Sequence, residues 1–168
     1  MKINPIDILL NNDFFPDKKF YFISGNETTL MEKIRSRIIK KHKELWASSL
    51  LNIDKINNYQ NEASLFGEKK IFICNSCKDI NKSNLDGIRD VEGIFIFIHE
   101  NSPKSNSVKF LFEKAQDSYL IDCYELDRST KTRLLDNFFR VNNLKVNQDI
   151  YWWLVEELDN KYIFFENS

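Results

Sequence analysis

Four short apolar runs limit what this chain can fold into: Phe20-Tyr21-Phe22-Ile23-Ser24, Ile71-Phe72-Ile73-Cys74, Ile94-Phe95-Ile96-Phe97-Ile98 and Tyr119-Leu120-Ile121-Asp122-Cys123. Each is too short to make a stable helix and is rich in aromatic and β-branched side chains, which suit a pleated strand. A strand that is apolar at nearly every position, rather than at alternate ones, is buried on both faces. Helical spacing fills the intervals. Leu30, Ile34 and Ile38 recur every four residues with Met31 and Ile39 beside them, predicting a helix from caps in Asn26–Thr29 to about Lys43. Val108, Leu111, Phe112 and Ala115 follow the same stripe rule, and a shorter helix is expected around Asn81–Asp90. His99 to Asn106, with Pro103, reads as a turn, and Leu50, Leu51, Ile53 and Ile56 suit a strand followed by a short helix. Strands alternating with helices predict an α/β fold over residues 1–123, a mostly parallel sheet with helices on both faces.

Beyond Tyr124 the pattern is helical only. Leu134, Leu135, Phe138 and Val141 form one apolar face, and Asn147 is a good N-cap for a second helix, with Val146 and Tyr151 placed for a hydrophobic staple. Ile150, Leu154, Val155 and Leu158 are expected to face inwards there. A third helix is expected from about Lys161, and the chain stops at Ser168 with Tyr162, Ile163, Phe164 and Phe165 still apolar, as a truncated chain or one lacking a following element would. Residues 124–168 therefore read as a small all-helical domain.

The total of 168 residues suits one moderate domain, or one domain with a small second. With 24 basic and 25 acidic residues the net charge is −1, against a dedicated binder of the phosphate backbone. Contact with DNA through partners stays open. The basic residues Lys33, Arg35, Arg37, Lys40, Lys41 and Lys43 read as the solvated face of a helix. No run approaches the roughly 18 apolar residues that cross a bilayer. Met1 to Leu10 carries Asp7 and lacks a cleavage site, so it does not read as a signal peptide. Three cysteines, an odd number, predict a reducing compartment, the cytoplasm, and no disulfide framework.

The turn Ser24-Gly25-Asn26-Glu27-Thr28-Thr29, between a strand and a helix, occupies the place of a phosphate loop. Such a loop needs several glycines to let backbone N–H groups cradle phosphate, and a Lys for the terminal phosphates. Here there is one Gly and no Lys, and Glu27 brings negative charge. Glu100 is a lone carboxylate at a strand end. Cys74-Asn75-Ser76-Cys77 is a C-x-x-C without a second ligand pair at zinc spacing, since Cys123, His42 and His99 are scattered. A redox dithiol sits at a helix N-terminus, whereas Cys74 ends a strand, so structural cysteines are the simpler reading. No Ser-His-Asp or Cys-His arrangement is legible. No catalytic residue, metal or cofactor is expected.

Leu65 and Phe66, between Ser64 and Gly67, precede the strand led in by Lys69 and Lys70. Neighbours on a helix point about 100° apart and cannot both centre one buried stripe. A helix end before Gly67 can hold the pair out towards a partner. A plug in the core under the sheet is the other reading.

Taken together, these residues resemble the delta subunit of the bacterial DNA polymerase III clamp loader. The similar pieces are Tyr21-Phe22-Ile23-Ser24-Gly25-Asn26-Glu27, Ser64-Leu65-Phe66-Gly67-Glu68-Lys69-Lys70, Ile94–Glu100 followed by Ser105–Ala115, and Leu144-Lys145-Val146 before a helix. The resemblance implies an AAA+-like domain with a degenerate phosphate loop at Gly25, Asn26, Glu27, Thr28 and Thr29, then a helical lid domain. It implies a non-catalytic accessory subunit in DNA replication, with nucleotidyl transfer belonging to the polymerase complex. It also gives Leu65 and Phe66 a role, as the apolar pair that enters a hydrophobic pocket of the ring-shaped sliding clamp, the beta subunit, and wedges the ring open. Each side chain buried this way contributes roughly 1.5–3 kcal/mol. Partner binding is then favoured over core for this pair. Two departures stand out: residues 43–64 read as shorter than the family's, and the chain is expected to lack the family's third, collar domain, which weakens the expectation of assembly with other loader subunits while clamp contact is expected to survive. The rivals are a nucleotide-dependent ATPase or kinase of the same layered fold, and a redox or zinc protein using Cys74 and Cys77.

Overall fold

The computed structural model of the protein describes residues 1–56, 69–100, 103–162 and 165, the side chains of 103–106 excepted. The strands are β1 Lys2–Ile3, β2 Phe20–Gly25, β3 Ser48–Ile53, β4 Lys69–Asn75, β5 Ile94–Glu100 and β6 Ser118–Cys123. The helices are α1 Pro5–Leu10, α2 Thr28–Leu45, α3 Lys82–Gly87, α4 Pro103–Lys114, α5 Arg128–Val141 and α6 Gln148–Glu157. Among the described residues all pairings are parallel, and the sheet order is β1-β6-β2-β5-β4-β3.

The apolar runs are two-sided. Tyr21, Ile23, Ile71, Ile73, Ile94, Ile96 and Ile121 point to one face, where α1 and α2 cover them through Ile6, Ile8, Leu30, Met31, Ile34 and Ile38. Phe20, Phe22, Phe72, Phe95, Phe97 and Leu120 point to the other, under Leu85 and Ile88 of the α3 region and Phe112 of α4. Phe112 stacks on Phe22 at 4.7 Å, and Phe72 on Phe95 at 4.4 Å. Leu126, Leu134 and Tyr162 join the isoleucine-side core, so the helical part packs on the same face as α1 and α2. Tyr151 of α6 donates its hydroxyl hydrogen to Asp136 of α5 at 2.8 Å, and Arg133 of α5 pairs with Asp7 of α1.

Several expectations need correction. Lys2–Ile3 and Pro5–Leu10, where no element was expected, form an edge strand and a helix; the helix is set by Asn4, whose side chain accepts from Ile6 N–H, and by Pro5 in the first turn. The turn expected over His99–Asn106 is much shorter. β5 runs on through His99 and Glu100, and α4 starts at Pro103. Proline fits there because a first-turn N–H has no helical partner. Within Asn26–Thr29 the N-cap position of α2 falls to Glu27, which makes no side-chain cap bond. Val141 and Ile150 lie on the expected apolar faces but are 66% and 52% exposed. Asn147 does cap α6, accepting from Asp149 N–H at 2.9 Å. The helix expected from Lys161 falls largely outside the described residues. The largest correction concerns cysteine: Cys74 and Cys77 are joined in a disulfide, with Cα atoms 5.8 Å apart, while Cys123 is a buried free thiol. Three residues of spacing at the end of a strand let the chain turn back within disulfide reach.

His42, at the C-terminal turn of α2, ties that helix to β3. It is 1% exposed, shares a hydrogen bond of 2.8 Å with Ser48 Oγ, and packs against Trp46 at 4.7 Å. Burial, and secondarily the Lys69 charge, lower its pKa to about 4. The unfolded chain takes up this proton near 6.5, so stability is full above that pH and falls as pH drops towards 4. The expected loss between pH 7 and pH 4 is about 2–3 kcal/mol. Urea unfolding at pH 7, 5.5 and 4 should show it, and His42→Gln should flatten the slope; equal slopes in both chains would contradict the assignment.

Candidate functional site

The carboxyl ends of β2, β5 and β6 lie side by side, with Gly25 in register with both Glu100 and Cys123. In open α/β sheets this edge is where ligands bind. Gly25 is buried with φ of 150°, and a Cβ there would lie 1.8 Å from the Cys123 carbonyl oxygen. Only glycine lets β2 turn this tightly against β6. The N–H groups of Asn26 and Glu27 both donate to that same oxygen, at 3.1 and 3.2 Å. In a phosphate-cradling loop such groups point out to the ligand; here they turn into the sheet.

Glu27 is 6% exposed, and its Oε2 has no hydrogen-bond partner. Thr28 and Thr29 begin α2, the first exposed and the second half-buried. The N-terminus of α2, which would attract an anion through its aligned peptide dipoles, therefore already has a carboxylate beside it. A phosphate brought there meets like charge and engaged donors.

Next to this loop, Ser24 Oγ donates to Asp122 at 3.2 Å, and Lys2 and Lys109 each pair with the Asp122 carboxylate at 2.9 Å. Lys109 also donates to the Tyr124 hydroxyl at 3.0 Å. Burial pushes the Asp122 carboxyl up, but the hydrogen bonds from Lys109 and Lys2 outweigh it and hold it below the usual carboxylate range. Burial, then Asp122 and Glu27, raise the Cys123 thiol far above its ordinary value, so it stays protonated. The cluster joins β1, β2, β6 and α4, and no motif marked it, because its members are far apart in sequence.

Glu100 is exposed, and His99 stacks on Phe22 at 5.2 Å with its pKa lowered by burial. Among the described residues no group of three or more His, Cys, Asp or Glu is placed to hold a metal ion. The disulfide pair stands apart from any helix N-terminus: Cys74 lies within β4, Cys77 on the loop after it, and α3 starts only at Lys82. The expected docking residues Ser64, Leu65, Phe66 and Gly67 lie outside the described residues. Their flanks are described: Ile56 is buried, and Lys69 N–H donates to Ala47 O at 2.9 Å where β4 joins β3. The basic face of α2 carries local pairs, Arg35 with Glu32 at 2.8 Å and Lys41 with Glu44 at 3.3 Å. No helix among the described residues is long and apolar enough to cross a membrane.

No protein-family model matches the chain, and no curated protein matches its sequence. Solved structures do match its fold. The Bacillus subtilis DNA clamp loader delta protein YqeN superposes with a TM-score of 0.61 at 14% identity, covering 97% of this chain and 55% of that one. DnaA from Aquifex aeolicus, bound to AMPPCP, superposes with a TM-score of 0.51 at 11% identity, covering 97% of this chain and 57% of that one. The chain thus spans little more than half the length of each, and its α/β architecture is AAA+-like.

The closed loop makes a measurable prediction. Gly25→Ala should cost about 2–4 kcal/mol, because the added methyl group meets backbone in a left-handed conformation. Gly87→Ala, whose methyl group meets no atom within 4 Å, should stay within about 0.5 kcal/mol of wild type. Chemical denaturation of the two variants beside wild type checks both, and a Gly25→Ala chain of undiminished stability would contradict the geometry.

Proposed function

We propose that the chain acts as a delta-type clamp-loader subunit in DNA replication. It docks on a sliding clamp through Leu65 and Phe66, with Ser64 and Gly67 shaping the end that presents them. It uses binding energy, not nucleotide hydrolysis, to favour the open ring. The observation that carries this reading is an AAA+-like sheet whose phosphate loop is closed from within, by the Cys123 carbonyl on two N–H groups and by the buried Glu27 carboxylate. The likeness in fold to a clamp loader delta protein supports it, as does the Ser-Leu-Phe-Gly stretch directly before β4.

In this reading residues 1–123 form the clamp-binding domain, residues 124–168 the helical lid, and the protein works in the cytoplasm, reaching DNA through its partners. The same closed loop disfavours the ATPase or kinase reading. Saturable binding of ATP with Mg²⁺ would revive it.

The test is binding to the cognate sliding clamp by surface plasmon resonance, with wild type and with Leu65→Ala/Phe66→Ala. Wild type should bind, and the double variant should lose tenfold or more, a change that needs only about 1.4 kcal/mol. Circular dichroism of the variant confirms that it is folded. A folded wild type that ignores the clamp would sink the proposal and return Leu65 and Phe66 to the core.

A further inference from the structure

Two surfaces of this chain carry complementary chemistry. The first is a groove between α1, α2 and α5, a cavity of about 410 Å³. Leu10, Phe138 and Val141 give it apolar walls. Lys33, Arg37 and Lys40 of α2 form its rim, and among the described residues no carboxylate lines it. These cations are strung along roughly 10 Å of helix. Arg37 donates from Nη2 to the Asn11 carbonyl at 3.1 Å, while its buried Nε has no acceptor. The second surface is the outer face of α6. Leu154, Val155, Leu158 and Tyr151, whose hydroxyl is bonded to Asp136 of α5, lie on the inner face and hold the helix down. Asp149, Ile150, Trp153 and Glu157 fall together in an arc of about 100° on the opposite side. All four are exposed, Trp153 by 60%. Glu156 is engaged with Arg128 at 3.0 Å, whereas the carboxylates of Asp149 and Glu157 make no ion pair among the described residues. Because this face points away from α5, it cannot enter the groove of its own chain.

We propose that the chain associates with itself head to tail, the outer face of α6 of one copy seated in the α1–α2–α5 groove of the next. Ile150 and Trp153 cover the apolar walls at Leu10, Phe138 and Val141. Asp149 and Glu157, roughly 12 Å apart along α6, face the rim of Lys33, Arg37 and Lys40. Charge complementarity selects this occupant. Cations strung along one helix match carboxylates strung along another, whereas a single anionic head group meets only part of the rim. A large exposed Trp is the kind of side chain that anchors an interface once a pocket takes it out of water. Groove and helix are different patches, so the contact is heterologous: a pair of copies still has one groove and one α6 face to offer, and growth stops only where a ring closes. Residues 64–67 take no part, so self-association stands or falls apart from clamp docking.

Sedimentation velocity of the full chain, with no clamp present, tests this. Wild type should gain mass with concentration across the micromolar range, and gain less in high salt, which screens the contacts between carboxylates and basic side chains. Lys40→Glu/Val141→Glu spoils the groove, and Ile150→Ala/Trp153→Ala spoils the helix face. All four side chains are exposed, so both variants should keep the fold, which circular dichroism checks. Each variant alone should associate about tenfold more weakly or not at all. Mixed, the two should form a one-to-one pair and nothing larger, because each retains the surface that the other has lost. A wild type of one mass at every concentration overturns the inference, and uptake of dodecanoate by that lone chain would give the groove to an anionic amphiphile instead. Association that survives in either variant overturns it too, as does a mixture of folded variants that stays unpaired.

Discussion

The in-register parallel pairing of β2, β4 and β5 dictates which side chains face which helical layer. Phe20 and Phe72 both pair with Phe95, and Phe22 and Cys74 with Phe97, while Ile71 pairs with Ile94 and Ile73 with Ile96. Like residues therefore share a face across the sheet. A slip of one residue would exchange the phenylalanine side for the isoleucine side on that strand and misfit both helical layers at once. Phe112 of α4, stacked on Phe22 and set edge-on to Phe20, reads the phenylalanine side. The isoleucine side accepts α1, α2 and, through Leu126, Leu134 and Tyr162, the part of the chain after β6. Face identity thus decides which helices go where.

The same register decides what the ligand edge can do. It brings Gly25 next to Cys123, and the lack of a Cβ lets the two strand ends close on each other. Closure takes up the N–H groups of Asn26 and Glu27. It also leaves the Glu27 carboxylate buried near a helix N-terminus, a position a bound anion would otherwise fill. Asp122, two lysines and Ser24 then lock β6 to β1, β2 and α4. The scaffold keeps the layout of a nucleotide-binding sheet while its backbone donors point inwards.

At the β3–β4 side, the described residues on either flank of 57–68 pack on the strand pair. β3 is the last strand of the sheet order, and its Leu50 and Leu51 are 42% and 38% exposed. The loop after β4 reaches back through Asp79, which accepts the Ile56 N–H, and Lys69 N–H donates to Ala47 O where β4 joins β3.

Legible in the amino-acid sequence were the four central strands, the outer strand β3, helices α2 to α6, the cap at Asn147 and the poverty of the phosphate loop. These are local matters: short continuous apolar runs, a helical stripe such as Leu30-Ile34-Ile38, and a count of glycines and lysines. It did not reveal β1 and α1, whose residues become a strand only because β6 offers an edge. Nor did it reveal that His99 and Glu100 stay in β5, held by pairing with Ser24 and Gly25. Apolar periodicity placed Val141 and Ile150 inwards, but burial depends on whether a neighbouring element reaches them, which spacing along one helix does not encode. Tertiary structure alone decided the Cys74–Cys77 bond, the joining of Asp122 with Lys2 and Lys109, and the closing of Gly25 on Cys123. Each of these depends on the distance between strands or across a turn, and that distance exists only once the parallel sheet has set its register.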